Sequence, residues 1–170
     1  PGKILAKMNS AILPDVPTVA VADIKSLEEV SGKVVRNDNK ISAFSLGQML
    51  EDSARKFNKR IAIFFHDERI SYGELNEKVN RLAGSLIKLG IKKQDKVSIM
   101  MCNSPDFIVT FFALMKIGAV AVPINTFWKS EEIRYVLNDA QISVVLMQLQ
   151  FFNTVKSAAE GAFSLKHLIV

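Results

Sequence analysis

Residues 97–124, VSIMMCNSPDFIVTFFALMKIGAVAVPI, decide the reading of the fold. Their first part, residues 97–101, is an apolar run of strand length. Ser104 then offers a hydroxyl to cap a helix, and Pro105 takes its first position, where a missing N–H leaves no bond unmade. Residues 106–117 are apolar on nearly every face, which predicts a helix buried on most sides. Gly118 closes that helix, and residues 119–124 form another apolar run with Pro123, which cannot donate to a ladder, near its end. Continuously apolar strands on either side of a helix predict a parallel sheet whose two faces are both covered.

The alternation continues outward from that unit. Upstream, Ser45 and Gln48 have capping-box spacing, with Phe44 and Met49 placed as a hydrophobic staple. Leu46, Met49, Leu50, Ala54 and Phe57 follow at helical intervals. Residues 61–66 (IAIFFH) read as a buried strand, Asp67 and Glu68 as a turn, and Arg69 and Ile70 as a short returning strand. Ser71 and Glu74 make a second capping box, stapled by Ile70 and Leu75. The helix behind it carries an apolar stripe through Leu75, Val79, Leu82, Leu86 and Leu89, and Gly90 stands just past its end. Downstream, Ser130 with Glu131 and Glu132 in the first turn starts a helix to about Asn138, which acidic residues favour through the helix dipole. Residues 142–147 read as a strand, 151–160 as a helix and 165–170 as a last strand. The expected class is α/β, a mostly parallel sheet with helices on both faces over residues 44–170. Residues 1–43 form an irregular lead-in, in which Pro14 and Pro17 forbid a helix and one short helix is expected over residues 25–31.

Composition excludes several classes of function. The 170 residues are 49% hydrophobic and 23% charged, too apolar for a disordered chain. The net charge of +5 invites a nucleic-acid reading. Its two clusters, however, Arg55, Lys56, Lys59, Arg60 and then Lys92, Lys93, Lys96, lack the interleaved aromatics of a base-stacking platform. They read as solvated basic edges, and no nucleic-acid partner is expected. The single cysteine, Cys102, excludes an internal disulfide, fits a reducing compartment and reads as a small buried hydrophobe. The longest apolar stretch, residues 107–115, is far short of the ~20 residues of a membrane span, and the start shows no signal-peptide pattern. A soluble cytoplasmic protein without a transmembrane segment is the expectation. The eight glycines form neither a dinucleotide fingerprint nor a phosphate loop. His66 and His167 have no metal-ligand spacing, and there is no nucleophile elbow. No catalytic or metal-binding residue is assigned.

Two stretches nevertheless form a distinctive pair. RISYGEL at residues 69–75 resembles the first core motif of the adenylate-forming (AMP-binding) enzymes, L-[TS]-Y-x-E-L. LMKIGAVAVPIN at residues 114–125 resembles their second, L-K-x-G-A-x-x-x-P-[LI]-[ND]. Their order, their spacing and the long helix between them also match, and the resemblance runs from Ser45 to Val170. The residues that carry it are Ser71, Tyr72, Glu74 and Leu75 in the first motif and Lys116, Gly118, Ala119, Pro123 and Asn125 in the second. Read from their chemistry alone these residues are scaffold: caps, a helix stop and a strand end. Asn125 followed by Thr126 is more similar to the acyl-CoA synthetase branch than to amino-acid adenylation modules, which stay the alternative together with a non-catalytic, flavodoxin-like interaction module.

The resemblance implies the N-terminal subdomain of the adenylate-forming fold, in an ATP-dependent acyl-CoA synthetase of fatty-acid metabolism. Such a ligase activates a small carboxylic acid as its adenylate and passes the acyl group to coenzyme A. It uses ATP, Mg²⁺ and coenzyme A, and none of them is expected on this chain alone. The family's Ser/Thr/Gly-rich phosphate loop and its later magnesium, ribose and lysine positions have no counterpart before Val170. The chain therefore reads as an N-terminal piece whose partner is the rest of its own polypeptide, inactive alone and prone to self-associate. The loop Asn125, Thr126, Lys129 is the expected approach to coenzyme A. Several coenzyme A ligases carry Arg two residues after that Asn, where this sequence has Phe127 and Trp128, with Lys129 the nearest cation.

Overall fold

The computed structural model describes residues 45–170. The helix expected over residues 25–31, the rest of the lead-in and the staple residue Phe44 lie outside the described residues. The elements in order are α1 (Leu46–Lys56), β1 (Ile61–Phe65), β2 (Glu68–Ser71), α2 (Tyr72–Lys88), β3 (Lys96–Met100), α3 (Pro105–Ile117) and β4 (Val120–Pro123). They are followed by α4 (Ser130–Asp139), β5 (Val144–Met147), a 3₁₀ turn (Leu149–Phe151), α5 (Phe152–Ala159) and β6 (His167–Ile169).

Four strands form one wholly parallel sheet in the order β4-β3-β5-β6. Parallel neighbours need a crossover, and crossovers are right-handed. The β3–α3–β4 crossover steps to one side of β3, and the β5–α5–β6 crossover steps to the other side of β5. Steps of the same hand in opposite directions put their helices on opposite faces. The side chains alternate to match. Val97, Ile99, Val144 and Leu146 pack under α2 and α3 with Val79, Leu86, Ala113 and Leu114. Met100, Val145 and Met147 pack under α4 and α5 with Ile133, Leu137 and Val155. Burial of each such side chain is worth about 1.5–3 kcal/mol, so the two layers supply most of the drive to fold.

The first strand departs from expectation. The sequence predicts a buried strand, but β1 and β2 form a separate antiparallel hairpin outside the parallel sheet. Only His66 and Asp67 separate the two strands, too few for a crossover, so the pair must turn back on itself. One side of the hairpin rests on the core through Ile70, Ala62 and Ile63. The other faces solvent with Ile61 and Phe64, and the Arg69 guanidinium lies over the Phe64 ring at 5.5 Å. His66 sits in the turn at φ 51° and not in the strand.

Local capping follows the sequence at α2 and only in part at α1. The Ser71 hydroxyl accepts from the Glu74 N–H at 3.3 Å, while the Ser71 N–H and Oγ both donate to Glu74 Oε2 at 2.8 Å. Those bonds, the backbone one first, hold the Glu74 carboxyl below its usual range, and Lys78 adds to the effect. At α1, Ser45 accepts from the Gln48 N–H, but the Gln48 side chain donates to Asp52, which leaves half a capping box. Met49, the expected staple residue there, is exposed. Helix α4 begins at Ser130 with Lys129 as its N-cap, so Ser130 does not cap it. Helix α3 is less enclosed than its composition suggests: Val109, Thr110, Ala113 and Leu114 are buried, while Phe107, Phe111 and Met115 are only partly covered.

One side chain ties three helices together. Lys116, near the end of α3, donates to Glu51 Oε1 of α1 at 2.8 Å and to Asn76 and Asn80 Oδ1 of α2 at 2.8 and 2.6 Å. All three ammonium protons are thereby used, on a side chain only 9% exposed. The helices meet closely: a Cβ on Gly47 of α1 would lie 2.9 Å from Lys116 Cγ. Gly118, at φ 77°, then takes the left-handed conformation that ends α3, and Ala119 N–H returns to the Leu114 carbonyl. Lys116→Met keeps the aliphatic stem and removes the three charge-assisted bonds. It is expected to cost about 2 kcal/mol, read as a lower urea midpoint at unchanged slope. An unchanged midpoint would show that the clamp adds nothing to stability.

Candidate functional site

In an open parallel sheet, ligands enter where neighbouring crossovers diverge, outside the carboxyl ends of the strands. Here that place lies between β3 and β5, the two central strands. A cleft of about 510 Å³ opens there, lined by Cys102 to Asp106 after β3, by Gln148 to Gln150 after β5, and by Phe65 and Glu68 of the hairpin. Gln148 joins the two central loops. Its N–H donates to the Met100 carbonyl at 3.2 Å, and its Oε1 accepts from the Cys102 N–H at 2.9 Å. Gln150 Nε2 donates to the same oxygen and lies 3.3 Å from Cys102 Sγ.

Cys102 corrects the sequence reading. The β3 ladder ends at Met100, so Cys102 falls in the loop beyond the sheet and is exposed in the cleft, not buried as a hydrophobe. Neither Gln148 nor Gln150 was singled out from sequence, nor were Asn103 and Asp106. Their signal is the strand order, which places two loops far apart in sequence side by side and is not written in local periodicity.

The two motif segments meet where α2 packs beside α3. Ser71, Tyr72, Glu74 and Leu75 open α2, where Leu75 is buried and Tyr72 packs against Phe57 with ring centroids 6.3 Å apart. Lys116, from the second motif, reaches Asn76, the residue after Leu75. Gly118 and the buried Ala119 carry the chain from α3 into β4, and Pro123 ends that strand. Asn125, Thr126 and Lys129 are apart from these contacts, in the loop between β4 and α4. Asn125 Oδ1 accepts from the Phe127 N–H at 3.0 Å, a local turn that occupies its oxygen. Phe127 is 82% exposed, and the partly buried Trp128 packs against the apolar layer that holds Ile133 and Leu137.

Neither region is shaped to grip a triphosphate. The cleft is lined by two carboxylates, Glu68 and Asp106, and by no lysine or arginine. At the N-terminus of α4, Glu132 accepts the Lys129 N–H at 2.9 Å, and Glu131 adds a second negative charge where an anion would sit. Among the described residues no three His, Cys, Asp or Glu side chains converge to hold a metal. His66 and His167 are both exposed. ATP phosphates and Mg²⁺ therefore do not fit the residues described.

Comparison with known proteins gives the arrangement its context. Residues 50–168 match the AMP-binding enzyme family. A crotonobetaine/carnitine–CoA ligase of Salmonella paratyphi A is 35% identical over 122 residues, which are 69% of this chain and 24% of that protein. A fatty acyl CoA synthetase of Mycobacterium tuberculosis superposes with a TM-score of 0.66 at 31% identity, over 74% of this chain and 26% of its own. The inhibitor-bound N-terminal domain of FACL13 from the same organism gives a TM-score of 0.67 at 31% identity, over 74% of this chain and 33% of its own. The chain spans about a quarter of the length of the curated relatives it matches. With its sheet, its paired motifs and this match over most of its length, the chain belongs to the AMP-binding enzyme family.

Proposed function

We propose that the chain is the amino-terminal subdomain of an ATP-dependent acyl-CoA synthetase, a ligase that activates a carboxylic acid as its adenylate and passes the acyl group to coenzyme A. The observation that carries this reading is the family match over residues 50–168, joined to relatives whose names specify CoA ligation. The likeness to the N-terminal domain of FACL13 supports the amino-terminal place. Family membership also removes the reading in which both motif matches are chance features of an unrelated interaction module.

In this reading the chain's own residues build and do not react. The Ser71–Glu74 cap and the Lys116 clamp fix α2 and α3 on one face of the sheet. The Gly118 stop aims β4 so that the loop Asn125, Thr126, Lys129 leaves the carboxyl edge, where Lys129 is the cation nearest to any approach of coenzyme A. The groups that hold ATP, Mg²⁺ and most of coenzyme A belong to further parts of the enzyme, because the cleft and the α4 N-terminus carry negative charge.

The gene downstream of codon 170 is expected to encode a Ser/Thr/Gly-rich loop ending in lysine; its absence would remove the proposal. The 170-residue chain itself is expected to bind ATP·Mg²⁺ weakly, and a dissociation constant in the low micromolar range by calorimetry would contradict this. It is also expected to self-associate through the open edge of β6 and the partly covered face of α3 that carries Phe107, Phe111 and Met115. Removing about 400 Å² of apolar surface from each of two copies is worth roughly 20 kcal/mol gross, above the ~4–15 kcal/mol that association costs. Light scattering at tens of micromolar is the check, and a clean monomer would mean that these surfaces are not sticky.

A further inference from the structure

The amino edge of the sheet, opposite the cleft, concentrates positive charge on a rigid frame. Helix α2 ends in Ile87 and Lys88, Gly90 turns the chain at φ 95°, and buried Ile91 anchors a loop carrying Lys92 and Lys93 ahead of Lys96 at the start of β3. Two backbone bonds pin this loop to the α3–β4 turn. The Gln94 N–H donates to the Gly118 carbonyl at 2.8 Å, and the Val120 N–H donates to the Asp95 carbonyl at 2.8 Å. Strand register then sets Val120 beside Lys96. Lys88, Lys92, Lys93 and Lys96 are all exposed, and none takes part in a salt bridge among the described residues. The one carboxylate in the loop, Asp95, is half-buried and accepts the Lys92 N–H of the same loop at 2.8 Å. Asp139 and Glu160 end helices on the other face of the sheet. Three apolar side chains fringe the lysines: Ile87 at 58% exposure, Leu89 at 42% and Val120 at 45%.

We propose that this edge docks on an anionic lipid bilayer. Four exposed lysines against the single carboxylate of the loop leave an excess of positive charge that complements a negatively charged surface, and each lysine held near such a surface strengthens binding about fivefold. The exposed Ile87, Leu89 and Val120 are suited to the headgroup boundary, where apolar side chains among lysines add hydrophobic partition. Nucleic acid is disfavoured because the edge carries no aromatic ring on which a base would stack. A free phosphate or an acidic peptide would use the lysines and leave the apolar fringe in water. Docking through the amino edge leaves the cleft at the carboxyl edge open to solvent.

The test is sedimentation of the 170-residue chain with vesicles of phosphatidylcholine alone and of phosphatidylcholine mixed with phosphatidylglycerol. Binding is expected only to the mixed vesicles, and it should weaken as salt rises from about 0.01 M to about 0.15 M and the screening length falls from roughly 30 to roughly 8 Å. The exposed pair K92Q/K93Q is expected to lose about twenty-five-fold in partitioning, at about fivefold for each lysine. L89S should weaken binding at high salt, where only the apolar part remains. K56Q/R60Q, which removes equal charge beside Phe57, serves as the charge control and should bind as the parent does. Circular dichroism checks that each variant is folded. The proposal is overturned by no binding to the mixed vesicles at low salt, by equal loss in the two charge-pair variants, or by binding to a short RNA or an acidic peptide that survives in L89S and exceeds vesicle binding.

Discussion

Parallel strands cannot be joined by tight turns, and the right-handed crossover that must join them has a direction. From β3 the chain steps one way and from β5 the other, and most of the molecule is set by that divergence. It sends α3 to one face and α5 to the opposite one, and so requires two apolar layers where a one-sided sheet would need one. The central strands answer with apolar side chains in both directions: Val97 and Ile99 toward one layer, Met100 toward the other. The same divergence parts the loops after β3 and β5 and leaves the cleft that Gln148 spans. Among the described residues it also leaves β4 and β6 as open edges, each a short strand.

A two-layer arrangement still needs the helices of a layer to be fixed to one another, and on the α2–α3 side a polar contact does this. Lys116 spends every ammonium proton on partners from α1 and α2. Its stem fills the space against Gly47, where any larger residue on α1 would push the helices apart. The family pattern and the physical role coincide at this residue. A lysine near the end of an apolar helix reads as a favourable charge at the C-terminus of a dipole. Three-dimensional packing turns it into a strut.

The α/β class and the boundaries of the longer elements were legible because their signals are local. Ser71 and Glu74, Ser104 and Pro105, and Gly118 each announce a helix end within a few residues, and the continuous runs at β3 and β5 announce strands buried on both faces. What was not legible depends on partners distant in sequence. Residues 61–65 are as apolar as β5, yet among the described residues β1 pairs only with β2, and two of its five side chains are exposed. Cys102 closes an apolar run in the sequence, but the strand stops two residues earlier, where Met100 and Met147 are the last paired residues of the ladder. The cleft followed the same rule: its lining residues are ordinary amides and acids that acquire meaning only when strand order brings two loops together.

Charge is distributed along the same axis that the strands define. The carboxyl edge carries Glu68 and Asp106 at the cleft and Glu131 and Glu132 in the first turn of α4. The amino edge on the α2–α3 side gathers Lys88, Lys92, Lys93 and Lys96. Helix dipoles of the antiparallel crossovers favour this arrangement, since each helix of a parallel unit presents its positive end to the carboxyl edge and its negative end to the amino edge. Acids in the first turns of α2, α3 and α4 and lysines in or after the last turns of α2 and α3 offset those ends, whereas Asp139 and Glu160 stand at the ends of α4 and α5. These two edges of the described residues therefore carry local charge of opposite sign and not a uniform coating. A sheet polarised in this way meets an anion with its amino edge and repels one at its cleft. That sign makes the amino edge, and not the cleft, the face of the described residues suited to an anion.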